Sequence, residues 1–177
     1  MILFLDFDGV VANGVSAKNK YYMRTTLHKD RSNYTTSVFT PSTIAYDLDR
    51  ECVHVLNRLV QFTSAKVVIS STWRTTFSQK DLEEHLGTFG FVGDVLGVTP
   101  CKMSLYWRDE EVRMWMEDNK YTGDYLVIDD ENHHLRHCPK DNFVYIKHGW
   151  RNGGLKSNRA KWELTRVLKQ RGMVWAG

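Results

Sequence analysis

The sequence predicts an α/β domain with a mostly parallel sheet between helices, and three short apolar runs are the main reason. Residues 1–5, 67–69 and 125–128 are each too short and too uniformly apolar for an amphipathic helix. Such runs are typical of strands buried on both faces. Each run ends in polar residues, at the edge where open α/β sheets bind their ligands. We therefore expect a binding site at the carboxyl ends of these strands.

An acid pair follows the first apolar run without a linker. Asp6 and Asp8 are two residues apart, so they point to the same side at the end of the predicted strand. Two close like charges are costly unless a cation lies between them or one carboxyl is protonated. Mg2+ takes one or two protein carboxylates together with water and phosphate. The pair therefore predicts a metal-dependent phosphate site, although Asp8–Gly9 is also an ordinary turn sequence.

The other two runs end in residues that also bind phosphate or metal. Ser70, Ser71 and Thr72 follow the second run, and Asp129 with Asp130 follows the third. The hydroxyl residues are equally suited to an N-cap, and both roles are compatible because a helix start is itself an anion site. Along the chain the order is acid pair, hydroxyls, acid pair.

This order resembles the haloacid dehalogenase (HAD) superfamily of phosphohydrolases, over most of the chain outside residues 11–46. The resemblance implies a Rossmann-like, HAD-type sheet and Mg2+ as cofactor. It implies that Asp6 is the nucleophile, which attacks phosphorus to give an aspartyl-phosphate. Asp8 would be the general acid/base that protonates the leaving oxygen and then activates water. A carboxylate attacks an anionic phosphate only when a cation and fixed donors neutralise the charge, which agrees with this assignment.

The resemblance also assigns the other strand ends. Ser70 is similar to the phosphate-binding hydroxyl of the superfamily, with Ser71 beside it. Asp130 would support the metal site. The implied metal ligands are the carboxylates of Asp6, Asp8 and Asp129.

A narrower resemblance comes from the string Ser-Ser-Thr-Trp-Arg at residues 70–74. It is similar to a branch of the superfamily found fused to, or encoded with, nucleic-acid end-repair enzymes. That branch has a glycine, threonine, proline step like residues 97–100, then an arginine-led helix. The superfamily holds the phosphate with a basic residue before the last acid pair, and the branch pattern favours Arg108 over Lys102. Arg74 could contact a second phosphate, or it could pair with a carboxylate.

Residues 11–46 break the α/β pattern between the first strand and the first long helix. A connection of this length is typical of a lid or binding loop, and in the resembled superfamily one class of cap is inserted here. We expect a small cap or flap within a single domain of residues 1–177. Lys20, Tyr21 and Arg24 could contact a nucleotide by charge and stacking. Alternatively, the segment is a solvated excursion whose tyrosines pack on the body.

Apolar residues at three- and four-residue spacing predict the helices. In the first helix these residues are Leu48, Cys52, Val55, Leu56, Leu59 and Phe62. A capping box at residues 78–81 begins the second helix, and the last begins near Ser157 with a basic outer side. That basic side is either a solvated surface or one that faces nucleic acid. Residues 142–146 predict a further strand.

Residues 131–138 contain three histidines and a cysteine, a density that suggests zinc. Structural zinc sites use spaced pairs of ligands, and adjacent His133 and His134 cannot easily face one ion. We therefore expect a loop beside the site, in which one histidine could touch substrate.

Composition limits the class of protein. The chain has 177 residues, 42% of them hydrophobic, which is enough for one well-packed domain. A net charge of +3 suits an anionic substrate without implying nucleic acid. Three widely spaced cysteines predict reduced thiols and a cytoplasmic location. No stretch is apolar enough for a membrane span, and no obligate protein partner is evident.

The predicted function is that of a Mg2+-dependent phosphomonoesterase acting on a nucleotide or a phosphorylated nucleic-acid end. A small-metabolite phosphatase or phosphotransferase of the same superfamily would share every catalytic residue. A receiver domain also phosphorylates an aspartate on a parallel sheet, but its acid pair and its phospho-acceptor lie on different strands. It is disfavoured here because Asp6 and Asp8 both end the first strand. The alternative from another class is a nucleic-acid-binding protein with a vestigial site, which predicts salt-sensitive binding without phosphate release.

Overall fold

A five-stranded, all-parallel sheet forms the centre of the molecule. We describe residues 1–13, 48–101 and 107–175 of a computed structural model. The strand order is β3-β2-β1-β4-β5, which confirms the predicted α/β fold with its mostly parallel sheet. The strands are β1 (Ile2–Leu5), β2 (Lys66–Ile69), β3 (Val95–Val98), β4 (Tyr125–Asp129) and β5 (Phe143–Tyr145).

The central strand β1 is buried on both faces, as its unbroken apolar sequence predicts. Leu3 and Leu5 point into the larger core cluster, whereas Ile2 and Phe4 point into a smaller one on the opposite face. In β1 successive side chains alternate between faces, so an apolar residue is needed at every position. The pairing with β2 and β4 is in register, because Leu5 lies opposite both Ile69 and Ile128. The carboxyl ends of these three strands therefore lie side by side.

Four helices of ten residues or more cover the sheet within the described ranges. They are α1 (Arg50–Thr63), α2 (Gln79–Thr88), α3 (Arg108–Asp118) and α4 (Asn158–Gln170). Leu48 lies just before α1, and the side chain of Asp49 caps that helix by accepting hydrogen bonds from two backbone N–H groups. The predicted capping box of Ser78 and Asp81 is present at α2, and Ser157 caps α4. Helices α1, α2 and α4 pack in the larger core cluster, and α3 covers the other face.

The segment after β5 packs against the loop that follows β1. Gly149 begins a short helical turn, Gly149–Asn152. A Cβ atom at Gly149 would lie 1.8 Å from the carbonyl oxygen of Gly9. The backbone N–H of Leu155 donates to the carbonyl oxygen of Val10 at 2.8 Å. Glycine is therefore needed at position 149 because the two backbones approach so closely.

The two ends of the segment between β1 and α1 are held together. The backbone N–H of Asp49 donates to the carbonyl oxygen of Val11 at 2.7 Å, and the amide of buried Asn13 donates to the Asp49 carboxylate at 3.1 Å. Lys156 forms an ion pair with the same carboxylate at 2.8 Å. The predicted cap at residues 11–46, with Lys20, Tyr21 and Arg24, lies almost wholly outside the described residues, as does Lys102. Among the described helices, none has the length and hydrophobicity to cross a membrane.

Candidate active site

Three carboxylates meet at the carboxyl edge of the sheet. Asp6 follows β1, Asp129 ends β4 and Asp130 comes next. One carboxylate oxygen from each lies within 4.8 Å of the other two. Asp6 is 5% exposed and Asp129 is 1% exposed. The in-register pairing of β1 with β4 explains this convergence, since the two strands end at the same level.

This carboxylate group differs in one member from the metal ligands inferred from the sequence. Asp130, expected only to support the site, belongs to the group, whereas the side chain of Asp8 does not. Asp130 approaches the chain closely at Gly9, where a Cβ atom would lie 2.0 Å from its Oδ2 atom. Gly9 also has a φ of +71°, so the residue after Asp8 needs to be glycine for two separate reasons. Three carboxylate oxygens, two of them from buried residues, are hard ligands that suit Mg2+, so the residues present fit that ion.

Arg108 lies between the two most buried carboxylates. Its Nε atom is 3.1 Å from Asp129 Oδ2, and its Nη2 atom is 3.5 Å from Asp6 Oδ1. Its side chain is 10% exposed. Burial alone would lower the pKa of Arg108, but the carboxylates of Asp129, Asp6 and Glu111 outweigh it and raise that pKa. Arg108 therefore carries a fixed positive charge beside Asp6, the position expected for the phosphate-holding base.

Ser70 presents a buried hydroxyl at the end of β2. Its backbone N–H donates to the carbonyl oxygen of Leu5 at 2.9 Å, which ties it to the end of β1. The Ser70 side chain is fully buried, and its Oγ atom has no hydrogen-bond partner among the described residues. A buried hydroxyl without a hydrogen-bond partner destabilises the protein unless a ligand forms a hydrogen bond with it. Ser71, in contrast, accepts a hydrogen bond from the backbone N–H of Trp73 at 3.5 Å and caps the turn Thr72–Thr75.

Asp8 lies beside the carboxylate group and is held by a tryptophan. The indole N–H of Trp73 donates to Asp8 Oδ2 at 2.9 Å, and the Trp73 ring packs edge-on against Phe7. Burial raises the pKa of Asp8 above its ordinary value, although the Trp73 hydrogen bond and Arg108 oppose that shift. A carboxyl group with a raised pKa holds a proton more readily at neutral pH, which suits a general acid.

The Arg74 side chain forms hydrogen bonds and an ion pair inside the protein. Its Nε atom donates to the carbonyl oxygen of Thr99 at 3.0 Å, and its Nη1 atom donates to the carbonyl oxygens of Ser70, at 2.6 Å, and Ser71. Its Nη2 atom lies 2.5 Å from Glu111 Oε2, and the Arg74 side chain is only 3% exposed. Of the two roles inferred from the sequence, pairing with a carboxylate is the one observed. Arg74 thus joins the ends of β2 and β3 to α3.

Glu111 connects Arg74 to Arg108. Its Oε2 atom is 3.8 Å from Arg108 Nη1, so one carboxylate contacts both arginines. Burial raises the pKa of Glu111, against the lowering effect of the two arginines. The network runs from the Ser70 carbonyl through Arg74, Glu111 and Arg108 to Asp6.

Burial also dominates the protonation of the acidic group. It raises the pKa of Asp6, and the charge of Asp129 raises it further while Arg108 opposes the change. The pKa of Asp129 is likewise raised by burial. Without a cation, Asp6 and Asp129 therefore bind protons more readily than ordinary aspartates do, because their charges are buried close together.

Sequence reasoning missed two contributors to this site. The sequence assigned no role at the site to Trp73 or to Glu111. The spacing of Arg108 and Glu111, three residues apart on α3, was a usable signal, because such residues are neighbours on a helix surface. No local pattern indicates that the Trp73 indole reaches Asp8, 65 residues earlier.

Comparison with known proteins gives one match. A family model described as the HAD domain in Swiss Army Knife RNA repair proteins matches residues 2–158. No curated protein and no solved structure matches the chain. The family match covers β1 to β5 and every described residue of the candidate site. The chain therefore belongs to the HAD superfamily, in the nucleic-acid repair branch formed by the HAD domains of Swiss Army Knife RNA repair proteins.

Proposed function

We propose that this HAD-family phosphohydrolase is a Mg2+-dependent phosphomonoesterase that removes phosphate from a nucleic-acid end or a nucleotide through an aspartyl-phosphate. The observation that carries the proposal is that the Asp6 carboxylate and the buried Ser70 hydroxyl, which has no hydrogen-bond partner among the described residues, follow adjacent strands in register. Arg108 supplies positive charge to the same place. A hydroxyl donor, a guanidinium and a carboxylate are the groups that an in-line attack on phosphorus requires.

In the first step, a carboxylate oxygen of Asp6 attacks phosphorus and the bond from phosphorus to the ester oxygen breaks. Arg108 and the Ser70 hydroxyl donate to the phosphoryl oxygens. Asp8 gives its proton to the leaving oxygen. Because Oδ2 of Asp8 accepts from Trp73, Oδ1 is the oxygen that carries this proton. The products are the dephosphorylated substrate and phosphorylated Asp6.

In the second step, water attacks phosphorus and the bond from phosphorus to the Asp6 oxygen breaks. The Asp8 carboxylate, deprotonated by the first step, accepts the proton from that water. This returns both acids to their starting states and releases inorganic phosphate. The raised pKa of Asp8 supports both roles, since it favours the protonated form that donates in the first step and makes the carboxylate a better proton acceptor in the second.

Asp6, Asp129 and Asp130 are the residues that would hold Mg2+. When bound, the ion would offset the charge of the carboxylates and of the phosphate. Members of the superfamily generally depend on Mg2+, which supports this part of the proposal.

The substrate class rests on the family description, whose proteins act in RNA repair. A net charge of +3 agrees with an anionic substrate. We include in this proposal that the chain is a single domain with a small cap at residues 11–46. A cytoplasmic location remains a prediction from the cysteine pattern.

Phosphate release with Mg2+ should be measured for 3′- and 5′-phosphorylated oligonucleotides, nucleoside monophosphates and sugar phosphates. We expect turnover on the nucleic-acid ends or the nucleotides, with a higher kcat/KM than on sugar phosphates. Asp6→Asn should abolish release while the circular dichroism spectrum is unchanged. Asp94→Asn is the matched control, since Asp94 is exposed and pairs with Lys66 at the opposite edge of the sheet.

Release by Asp6→Asn at the wild-type rate would refute the nucleophile assignment. A preference for sugar phosphates would favour the small-metabolite alternative. Salt-sensitive oligonucleotide binding without release from any substrate would favour a vestigial site.

A further inference from the structure

A second cluster of ligand-type side chains lies in the turn after β4, outside the Asp6, Asp129 and Asp130 group. The Nε2 atom of His134 is 3.0 Å from Glu131 Oε2, and the Nε2 atom of His133 is 3.7 Å from the same oxygen. One ligand atom from each of the three residues lies within 4.8 Å of the other two. Two imidazoles therefore converge on one carboxylate oxygen.

The distances in this cluster match those of a tetrahedral ion site. Zinc lies about 2.0–2.2 Å from its nitrogen and oxygen ligands, which places two ligand atoms at the tetrahedral angle about 3.4 Å apart. The two nitrogen-to-oxygen distances, 3.0 and 3.7 Å, lie on either side of that value. Changes of about 0.4 and 0.3 Å would bring the two nitrogen-to-oxygen distances to that value.

The backbone explains how adjacent histidines can share a direction. On a strand, His133 and His134 would point to opposite faces. Here they occupy a turn, in which the backbone N–H of Leu135 donates to the carbonyl oxygen of Asn132 at 3.3 Å. The two imidazole centroids are 3.9 Å apart, with 43° between the ring planes. The expectation that these histidines could not easily face one ion therefore fails in this turn.

We propose that Glu131, His133 and His134 bind a divalent transition-metal ion of the zinc class, at a site separate from the carboxylates that suit Mg2+. Imidazole ligands favour zinc and its neighbours in the first transition row, whereas Mg2+ prefers oxygen alone. The His133 side chain is 57% exposed and that of Glu131 is 52% exposed. Three protein ligands at the surface leave a fourth coordination position open to water or to an oxygen of a ligand.

The turn that carries this cluster is attached to the candidate active site. The backbone N–H of Glu131 donates to Asp129 Oδ1 at 2.8 Å, and the backbone N–H of Asp109 donates to the carbonyl oxygen of His134 at 3.2 Å. An ion bound to the three side chains would fix the turn between these two attachments. Without an ion, the same side chains would form only a surface contact between Glu131 and the two histidines, which is the alternative that the experiment tests.

The test is a zinc titration of the full chain against a chromophoric chelator in millimolar Mg2+, which fills the carboxylate site. The Cys101→Ser background removes an exposed thiol. Burial raises the pKa of Cys138 to about 12, which keeps that group a poor zinc ligand. We expect one equivalent of Zn2+ to bind. We expect zinc affinity to fall at least about tenfold in each of the variants His133→Ala, His134→Ala and Glu131→Gln. Tenfold is the lower limit because removing a group that only hydrogen-bonds to a metal ligand already costs about that much.

Two controls locate the ion. His137→Ala removes an imidazole from the same loop, 83% exposed and facing Asp109 rather than the cluster, and it should leave zinc affinity unchanged. Asp6→Asn alters the carboxylate site and should also leave it unchanged. Cobalt(II) absorption gives a second readout, because the visible bands of a tetrahedral site should be present in His137→Ala and lost in the double variant His133→Ala/His134→Ala.

Three results would overturn the proposal. They are the absence of a one-equivalent zinc site, zinc affinity unchanged in the double histidine variant, and zinc affinity lost in Asp6→Asn but kept in the double variant. Circular dichroism of the double variant excludes unfolding as the cause of any loss. The outcome is independent of phosphatase activity, so it does not depend on the proposed function.

Discussion

Replacing Arg74 with methionine should destabilise the protein severely. Arg74 is 3% exposed and pairs with Glu111, whose side chain is 10% exposed. It also donates to the carbonyl oxygens of Ser70, Ser71 and Thr99. Methionine keeps most of the volume of the side chain but donates no hydrogen bond, so it removes the side-chain donor from three carbonyl groups and takes from the buried Glu111 carboxylate the nearer of its two arginine partners.

Removing one partner of a buried ion pair costs about 3–5 kcal/mol. At about 1.4 kcal/mol for each factor of ten, the folding equilibrium constant should fall roughly 140- to 3,700-fold. With a urea m-value of about 2 kcal/mol per molar, the unfolding midpoint should drop by about 1.5–2.5 M. Adding Glu111→Leu to Arg74→Met should restore part of this loss, because it removes the buried carboxylate that the first change deprives of its nearer arginine partner.

The assay is urea unfolding followed by circular dichroism, with Arg113→Met as the matched control. Arg113 lies on α3 and pairs with Glu110 and Glu117, but its side chain is 53% exposed. Exposed ion pairs contribute little to stability, so the control should unfold close to the wild-type midpoint. The structural role of Arg74 would be refuted if Arg74→Met shifted the midpoint no further than Arg113→Met does. A raised KM for substrate at unchanged stability would instead indicate a substrate contact.

Four other changes test the site and the loop beside it. Trp73→Phe removes the hydrogen bond that favours ionised Asp8, so the pKa of Asp8 should rise further and the corresponding limb of the pH–rate profile should move to higher pH. In EDTA, the raised pKa of Asp129 contributes stability that is fully present below about pH 4 and is lost as pH rises through the folded-state pKa. The urea midpoint should therefore decline as pH rises, and Asp129→Asn should flatten that decline. An equally steep decline in the variant would contradict the prediction. Mg2+ competes with the protons that Asp6 and Asp129 bind, so its thermal stabilisation should be larger at pH 8 than at pH 6. Gly149→Ala should lower the melting temperature, because its Cβ atom would lie 1.8 Å from a carbonyl oxygen of the loop after β1.

The sheet could be predicted from the sequence because its strands are buried on both faces. Continuous apolar runs mark β1, β2 and β4, and these predictions are confirmed, as is β5 within residues 142–146. The sequence does not predict β3, because Gly97 interrupts its short apolar pattern. The ends of the predicted strands indicated the candidate site, since parallel strands in register bring their carboxyl ends together.

The contacts between side chains could not be predicted in the same way. Whether Arg74 faces substrate or Glu111 depends on how α3 packs against the sheet, which no local pattern encodes. The sequence named Asp8 as the third member of the carboxylate group, but the structure has Asp130 there. That placement likewise depends on the close approach of Asp130 to Gly9. Such contacts are set by tertiary packing, and sequence spacing constrains them only within one helix or strand.

The hydrogen bond between Asp49 and Val11 closes the chain before and after the inserted segment. A segment whose two ends already meet can be lengthened, shortened or exchanged at a small entropic cost, because the entropy lost on closing a loop increases only slowly with the length of the loop. The strands and the acid residues take no part in such an exchange. With the cap proposed for this segment, substrate range could therefore diverge among relatives, or be redesigned by grafting, while the residues at the sheet edge stay unchanged.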